Sequence, residues 1–96
     1  MNISIVIPAY NEEKRIEPTI KETLAFLNQH FENFELLIVD DGSSDKTVEI
    51  CQQYKEQGLR VITNPKNMGK GFSVKLGMIN AKYDPILFMD ADLATP

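Results

Sequence analysis

Leu36-Leu37-Ile38-Val39-Asp40-Asp41-Gly42-Ser43-Ser44-Asp45-Lys46-Thr47 is the stretch that decides the fold. Its first four residues are apolar and strand-sized, the natural form of a strand buried on both faces, and its polar second half leads into a helix. Ser43, Ser44 and Asp45 offer N-cap oxygens, the helix is expected over Thr47 to Gln57, and Gly58 can end it in a left-handed conformation. Outward from there the same unit repeats. Ile3 to Ile7, Arg60 to Thr63 and Ile86 to Met89 are the other strand-like runs, and a helical pattern fills each remaining gap. In the first gap Pro18 suits an early helix position, with Ile20, Leu24 and Leu27 recurring at helical spacing and Phe31 continuing the stripe. In the last, a helix is expected from about Gly71 to Ala81. Its stripe is Phe72, Lys75, Leu76 and Ile79, and Tyr83-Asp84-Pro85 closes it.

Strands alternating with helices make βαβ units, hence a mainly parallel sheet with right-handed crossovers in an α/β, Rossmann-like three-layer sandwich. Ligands of such sheets bind outside the carboxyl ends of the strands, where strand order reverses. The polar residues stand at those ends: Tyr10-Asn11-Glu12-Glu13 after the first run, Asp40-Asp41-Gly42 after the second and Asp90-Ala91-Asp92 after the fourth. With 96 residues, 43% hydrophobic and 25% charged, one folded domain over residues 1–96 is the expectation. A net charge of −4 and a pI near 4.9 disfavour nucleic acid or an anionic membrane as the main partner. The lone Cys51 cannot form an internal disulfide, and its pattern with Val48, Ile50 and Tyr54 reads as a packed helix face. That suits a reducing compartment. The longest apolar runs are strand-sized, so no signal peptide or membrane span is visible. The expected location is cytoplasmic, or the cytoplasmic face of a membrane for a longer protein.

Asp90-Ala91-Asp92 is the sharpest chemical signal. In an extended segment, residues i and i+2 point to one side, roughly 6.6 Å apart along the chain, so the two carboxylates converge. Such a pair invites Mg²⁺ or Mn²⁺, which is commonly held by one or two carboxylates plus ligand phosphates. Alternatively, the two acids only cap a turn after a strand. Asp40 and Asp41 can accept hydrogen bonds from a base N–H or a ribose hydroxyl, or form an Asx turn in which Gly42 takes positive φ. Asp45 reads as a cap. Asn64-Pro65-Lys66-Asn67-Met68-Gly69-Lys70-Gly71 opens a helix and so offers backbone N–H groups and a positive dipole end to phosphate, with Lys70 adding a charge. Its spacing is neither of the common phosphate-loop fingerprints. His30 reads as a surface residue at a helix end, and Met68, Met78 and Met89 as core filling.

Taken together, Ile5-Val6-Ile7-Pro8-Ala9-Tyr10-Asn11-Glu12, Val39-Asp40-Asp41-Gly42-Ser43-Ser44-Asp45, Asn67-Met68-Gly69-Lys70-Gly71 and Asp90-Ala91-Asp92 resemble the amino-terminal half of family 2 glycosyltransferases. The resemblance implies a GT-A fold, a nucleotide-diphosphate-sugar donor linked to UDP or GDP, a divalent metal, and inverting transfer. By that resemblance Pro8, Tyr10, Glu12, Asp40, Lys70 and Asp90 are nucleotide-binding, and Asp90 and Asp92 hold the metal. Met89-Asp90-Ala91-Asp92-Leu93-Ala94-Thr95-Pro96 is similar to members that glycosylate polyprenyl or dolichyl phosphate, which implies a lipid-phosphate acceptor.

The family's acceptor site and general base are expected beyond the metal motif. No catalytic base is assigned among these residues, and the chain alone is expected to be inactive. An acceptor that arrives ionised, such as a phosphate, removes the need for one. A sheet ending after four strands can expose an apolar face, which leaves self-association open. The rival from another class is a regulatory α/β module that binds Mg²⁺ and carries a phosphorylated Asp at Asp40 or Asp41. A cytidylyltransferase-like nucleotide binder and a domain without any ligand are the others. The first would label with acetyl phosphate, and the last would show no thermal shift with nucleotide.

Overall fold

The computed structural model of the chain describes residues 1–92. The elements are β1 (Asn2–Ala9), α1 (Ile16–His30), β2 (Asn33–Asp40), α2 (Thr47–Gln52), a 3-10 turn (Lys55–Gln57), β3 (Leu59–Thr63), α3 (Lys70–Asn80) and β4 (Ile86–Phe88). All strand pairs are parallel, in the order β3-β2-β1-β4. From β1 the chain runs outward through β2 to β3, then crosses back with α3 to add β4 on the other side of β1. Strand order therefore reverses between β1 and β4, which is where an α/β sheet opens a ligand crevice.

Period-2 alternation divides the two central strands between two cores. Ile3, Ile5, Ile7, Leu36 and Ile38 pack with Ile16, Ile20, Leu24 and Leu27 of α1 and Cys51 of α2. Val6, Leu37 and Val39 form the opposite core with Leu76 of α3, Ile62 and Ile86. Helices α1 and α2 thus cover one face and α3 the other, which is the expected three-layer sandwich. Burial and the charge of nearby Asp40 push the Cys51 thiol up to about 12, so it behaves as a small apolar side chain.

Helix α3 approaches the sheet through its smallest residues. Ser73 and Gly77, one turn apart, are its buried positions. A Cβ on Gly77 would stand 2.4 Å from Val6 Cγ1 and 3.3 Å from Val39 Cγ2, so the helix backbone rests directly on the two valines. This corrects the expected stripe. Leu76 does pack against the sheet, but Phe72 and Ile79 are exposed, because seating Ser73 and Gly77 inward turns them to solvent. Met68 and Met78 are likewise exposed rather than core-filling, and only Met89 packs against the main core.

Two further expectations change. The second helix stops at Gln52 and the chain tightens into the 3-10 turn before Gly58, whose φ of 97° supplies the left-handed stop. That tightening places the Tyr54 hydroxyl where it donates to Glu17. The fourth strand is three residues long and, among the described residues, pairs only with β1, so Leu87 and Phe88 are exposed rather than buried on both faces. At the amino end of the sheet, buried Glu35 accepts hydrogen bonds from Ser4 Oγ, Arg60 and the Lys82 amide, which ties the α3–β4 connection to three strands. A partnered buried carboxylate of this kind fixes the crossover without leaving an unpaired charge.

Candidate functional site

At the carboxyl edge of the sheet lies a cavity of about 490 Å³. It is lined by Pro8, Ala9, Tyr10 and Glu12 from the end of β1, Asp41 after β2, Asn67, Gly69, Lys70 and Ser73 around the start of α3, and Asp90, Ala91 and Asp92 after β4. Six of the residues singled out in the sequence, Pro8, Tyr10, Glu12, Lys70, Asp90 and Asp92, therefore meet at the switch point between β1 and β4. Asp40 does not.

The exchange of Asp40 for Asp41 follows from strand alternation. Leu36, Ile38 and Asp40 point toward α1 and α2, whereas Leu37 and Val39 point toward α3, and Asp41 continues on that side. Asp40 is buried within the β2–α2 turn. Its Oδ2 accepts the Ser43 amide at 3.0 Å, and its Oδ1 is buried with no hydrogen-bond partner among the described residues. Asp41 instead organises the loop ahead of α3: its carboxylate accepts the Met68 amide at 2.7 Å, the Gly69 amide at 2.9 Å and Asn64 Nδ2 at 2.9 Å. Burial favours the neutral form of Asp41, but those donors, together with the Ser73 hydroxyl, outweigh it and hold the carboxyl below its ordinary 3.8. The loop also needs Gly42. At φ 78°, with Lys66 C only 2.6 Å from where a Cβ would be, no side chain fits there.

The loop after β1 is stitched to the loop after β2. Asn11, in the left-handed region at φ 51°, donates its amide to Ser43 Oγ at 2.8 Å, while its Oδ1 accepts the Ser44 amide at 2.8 Å. The Glu12 amide donates to Thr47 Oγ1, and the Glu13 amide to Asp45 Oδ2. Asp45 also accepts from the Thr47 amide in an Asx turn, and these bonds hold its carboxyl below the usual value despite the opposing effect of burial. The side chains of Ser43 and Ser44 are thus engaged with Asn11 rather than capping α2. Asp45 both starts that helix and anchors its neighbour loop. These partners stand 32 to 35 residues apart, so no local pattern announces the stitch. The turn at Asn11 lets Tyr10 and Glu12 both line the cavity.

Asp90 and Asp92 both line the cavity, but the chain turns at Ala91 and Asp92 instead of continuing as the expected extended segment. The main chain leaves the ladder after the Met89 amide donates to the Val6 carbonyl. Lys70, at the amino end of α3, places its ammonium 3.2 Å from Asp90 Oδ1, and both side chains are well exposed. A cation thus already stands beside this carboxylate. Two carboxylates and a helix start lining one cavity are the donor set for a divalent ion that completes its shell with phosphate oxygens and water. No cluster of three or more His, Cys, Asp or Glu suited to a metal is found among the described residues, so any such ion would rely on its ligand. Leu93, Ala94, Thr95 and Pro96 of the lipid-phosphate motif lie outside the described residues. His30 is exposed at the end of α1, its ring stacked on Phe26, and is not among the cavity residues.

The family model for glycosyl transferase family 2 matches residues 4–96. The dolichyl-phosphate beta-glucosyltransferase ALG5C of Trichomonas vaginalis is 44% identical over 96% of this chain, and the matched region is 29% of that relative. Among solved structures, S. aureus TarS in complex with UDP-GlcNAc superposes with a TM-score of 0.86 at 31% identity, over 96% of this chain and 27% of that one. Glucosyl-3-phosphoglycerate synthase of Mycobacterium tuberculosis, in a complex containing Mn²⁺ and UDP, gives 0.72 at 28% identity, over 94% and 33%. The expected GT-A fold class holds. The chain spans under a third of the length of that curated relative.

Proposed function

Because this chain belongs to glycosyl transferase family 2, we propose that its carboxyl-edge cavity holds the nucleotide diphosphate of a sugar donor. The observation that carries this reading is the convergence of a strand-end aromatic, a buried acid, a helix amino end with a lysine, and a pair of carboxylates on one 490 Å³ cavity. Tyr10 offers a ring to stack against the base. Asp41 takes the place of Asp40 as the acid nearest the nucleotide, since it lines the cavity and Asp40 does not. Glu12 is placed to accept from the base or ribose, while Arg15, 2.7 Å from its Oε1, limits its freedom. The free amides at the start of α3 and Lys70 are suited to the diphosphate.

Asp90 and Asp92 would hold Mg²⁺ or Mn²⁺. When bound, the ion would neutralise charge on the leaving diphosphate. Lys70 pairs with Asp90, so a shift of its ammonium to phosphate would leave that carboxylate for the ion or the ribose. The proposed reaction of the full protein is inverting transfer to a polyprenyl- or dolichyl-type lipid phosphate. That acceptor is ionised at neutral pH and can attack without first losing a proton to a base. The reaction would then run at a membrane face, on the cytoplasmic side that a buried, unpaired Cys51 suits. No described helix is long and apolar enough to cross a membrane. A phosphoacceptor role for Asp40 is disfavoured by its burial.

Calorimetric titration of UDP and GDP, with Mn²⁺ and with chelator, tests the reading. The expected result is metal-dependent binding of one of them, weakened at least tenfold in Asp92→Ala, a loss on the order of 1.4 kcal/mol. Binding that ignores both the metal and Asp92 would remove the metal assignment. No binding to folded protein would remove the donor site.

A further inference from the structure

The acidic net charge of the chain hides a strong segregation. From residue 60 to residue 83 it carries Arg60, Lys66, Lys70, Lys75 and Lys82 and no Asp or Glu, so half of its ten basic residues occupy a quarter of its length. Arg60 is neutralised by Glu35, and Lys70 pairs with Asp90. Helix α3 runs through the middle of this segment. At about 100° per residue, seating Ser73 and Gly77 on the sheet sends Phe72, Lys75, Met78 and Ile79 to the opposite side. Phe72 is 44% exposed, Met78 53% and Ile79 68%. Met68 in the preceding loop is exposed as well.

A solvated helix face normally carries mixed charges, and an apolar face normally meets a core. This one does neither. Phenylalanine, methionine and isoleucine around a central lysine, with no acid in the helix itself and Asp84 the nearest one after it, make the pattern of a helix that lies in the interface of a negatively charged bilayer. The apolar side chains enter the headgroup boundary while lysine stems extend their ammonium groups to phosphate. A second copy of the chain is a poorer occupant, because a two-fold contact through this face would bring the Lys75 regions of both copies together. We infer that the outward face of α3 docks on an anionic phospholipid surface. The inference goes beyond the donor-site reading. It adds an orientation: the amino end of the docked helix opens into the cavity, through Gly69 and Lys70.

Co-sedimentation with vesicles tests it, using phosphatidylcholine alone and phosphatidylcholine containing one third phosphatidylglycerol. The wild-type chain is expected to bind the mixed vesicles, to release in high salt and to ignore the neutral ones. Lys75→Glu, which reverses an exposed charge, should lower the partition coefficient about tenfold. The Phe72→Ser, Ile79→Ser pair should lower it by a similar factor. Circular dichroism and nucleotide titration of both variants should match the wild type, which separates loss of docking from loss of fold. Absence of binding to mixed vesicles, equal binding to both kinds, or variants that bind like the wild type would overturn the inference. So would a concentration-dependent dimer that Lys75→Glu alters in the absence of lipid. Vesicle binding without nucleotide binding would sink the donor-site reading and leave this one standing.

Discussion

Helices α1 and α3 flank the same sheet and use their apolar residues in opposite ways. Across Ile16–His30, α1 buries Ile16, Ile20, Leu24 and Leu27, so its stripe is the core of one face. Across Lys70–Asn80, α3 buries only Ser73 and Gly77, and its larger apolar side chains turn largely outward. The difference teaches that a helix can be held by side-chain volume or by closeness of backbone. Closeness suits α3, because the element that brings Gly69 and Lys70 to the cavity must sit low on β1 and β2.

Substitutions can break that comparison. The largest effect is expected in α1: Leu24→Ala should cost about 2–5 kcal/mol in denaturant unfolding, the range for a buried leucine whose site cannot collapse. Gly77→Ala, which only adds a methyl group, should cost about 1–3 kcal/mol by forcing α3 off Val6 and Val39. A neutral result there would mean that the helix does not need its close seat.

Asp41→Asn should cost about 1–3 kcal/mol at neutral pH by weakening the bonds to the loop before α3. The folded carboxyl titrates below its ordinary 3.8, so its contribution is complete above that value and disappears as pH falls through the folded one. The deficit of the variant should therefore shrink below about pH 4, and a deficit constant from neutral pH to pH 2 would contradict the assignment. Smallest of all, Ile79→Ser should change stability by less than about 0.5 kcal/mol, although it removes as large an apolar side chain as any that α1 buries.

Much of the architecture was legible because β-branched runs and helical spacings are local signals, and both central strands fall where those runs lie. The outward turn of α3 was not. Periodicity says which residues share a helical side but not which side meets the sheet, and a Ser-Gly contact leaves no hydrophobic mark. Asp40 and Asp41 show the same limit in a strand. Alternation sends them to opposite faces, yet which face carries the cavity depends on β4 joining the far side of β1. Asp90-Ala91-Asp92 lines the cavity although Ala91 and Asp92 turn rather than continue an extended segment. Net charge is likewise an average, and the value of −4 conceals the basic run from 60 to 83.

Amide chemical-shift mapping of the chain with UDP and Mn²⁺ tests the central claim most directly. The account predicts perturbations concentrated at Ala9, Tyr10, Glu12, Asp41, Met68, Gly69 and Lys70, with the amides along α1 from Ile20 to Leu27 unchanged. A saturating ligand that shifts α1 or the amino end of the sheet and leaves the start of α3 untouched would contradict it.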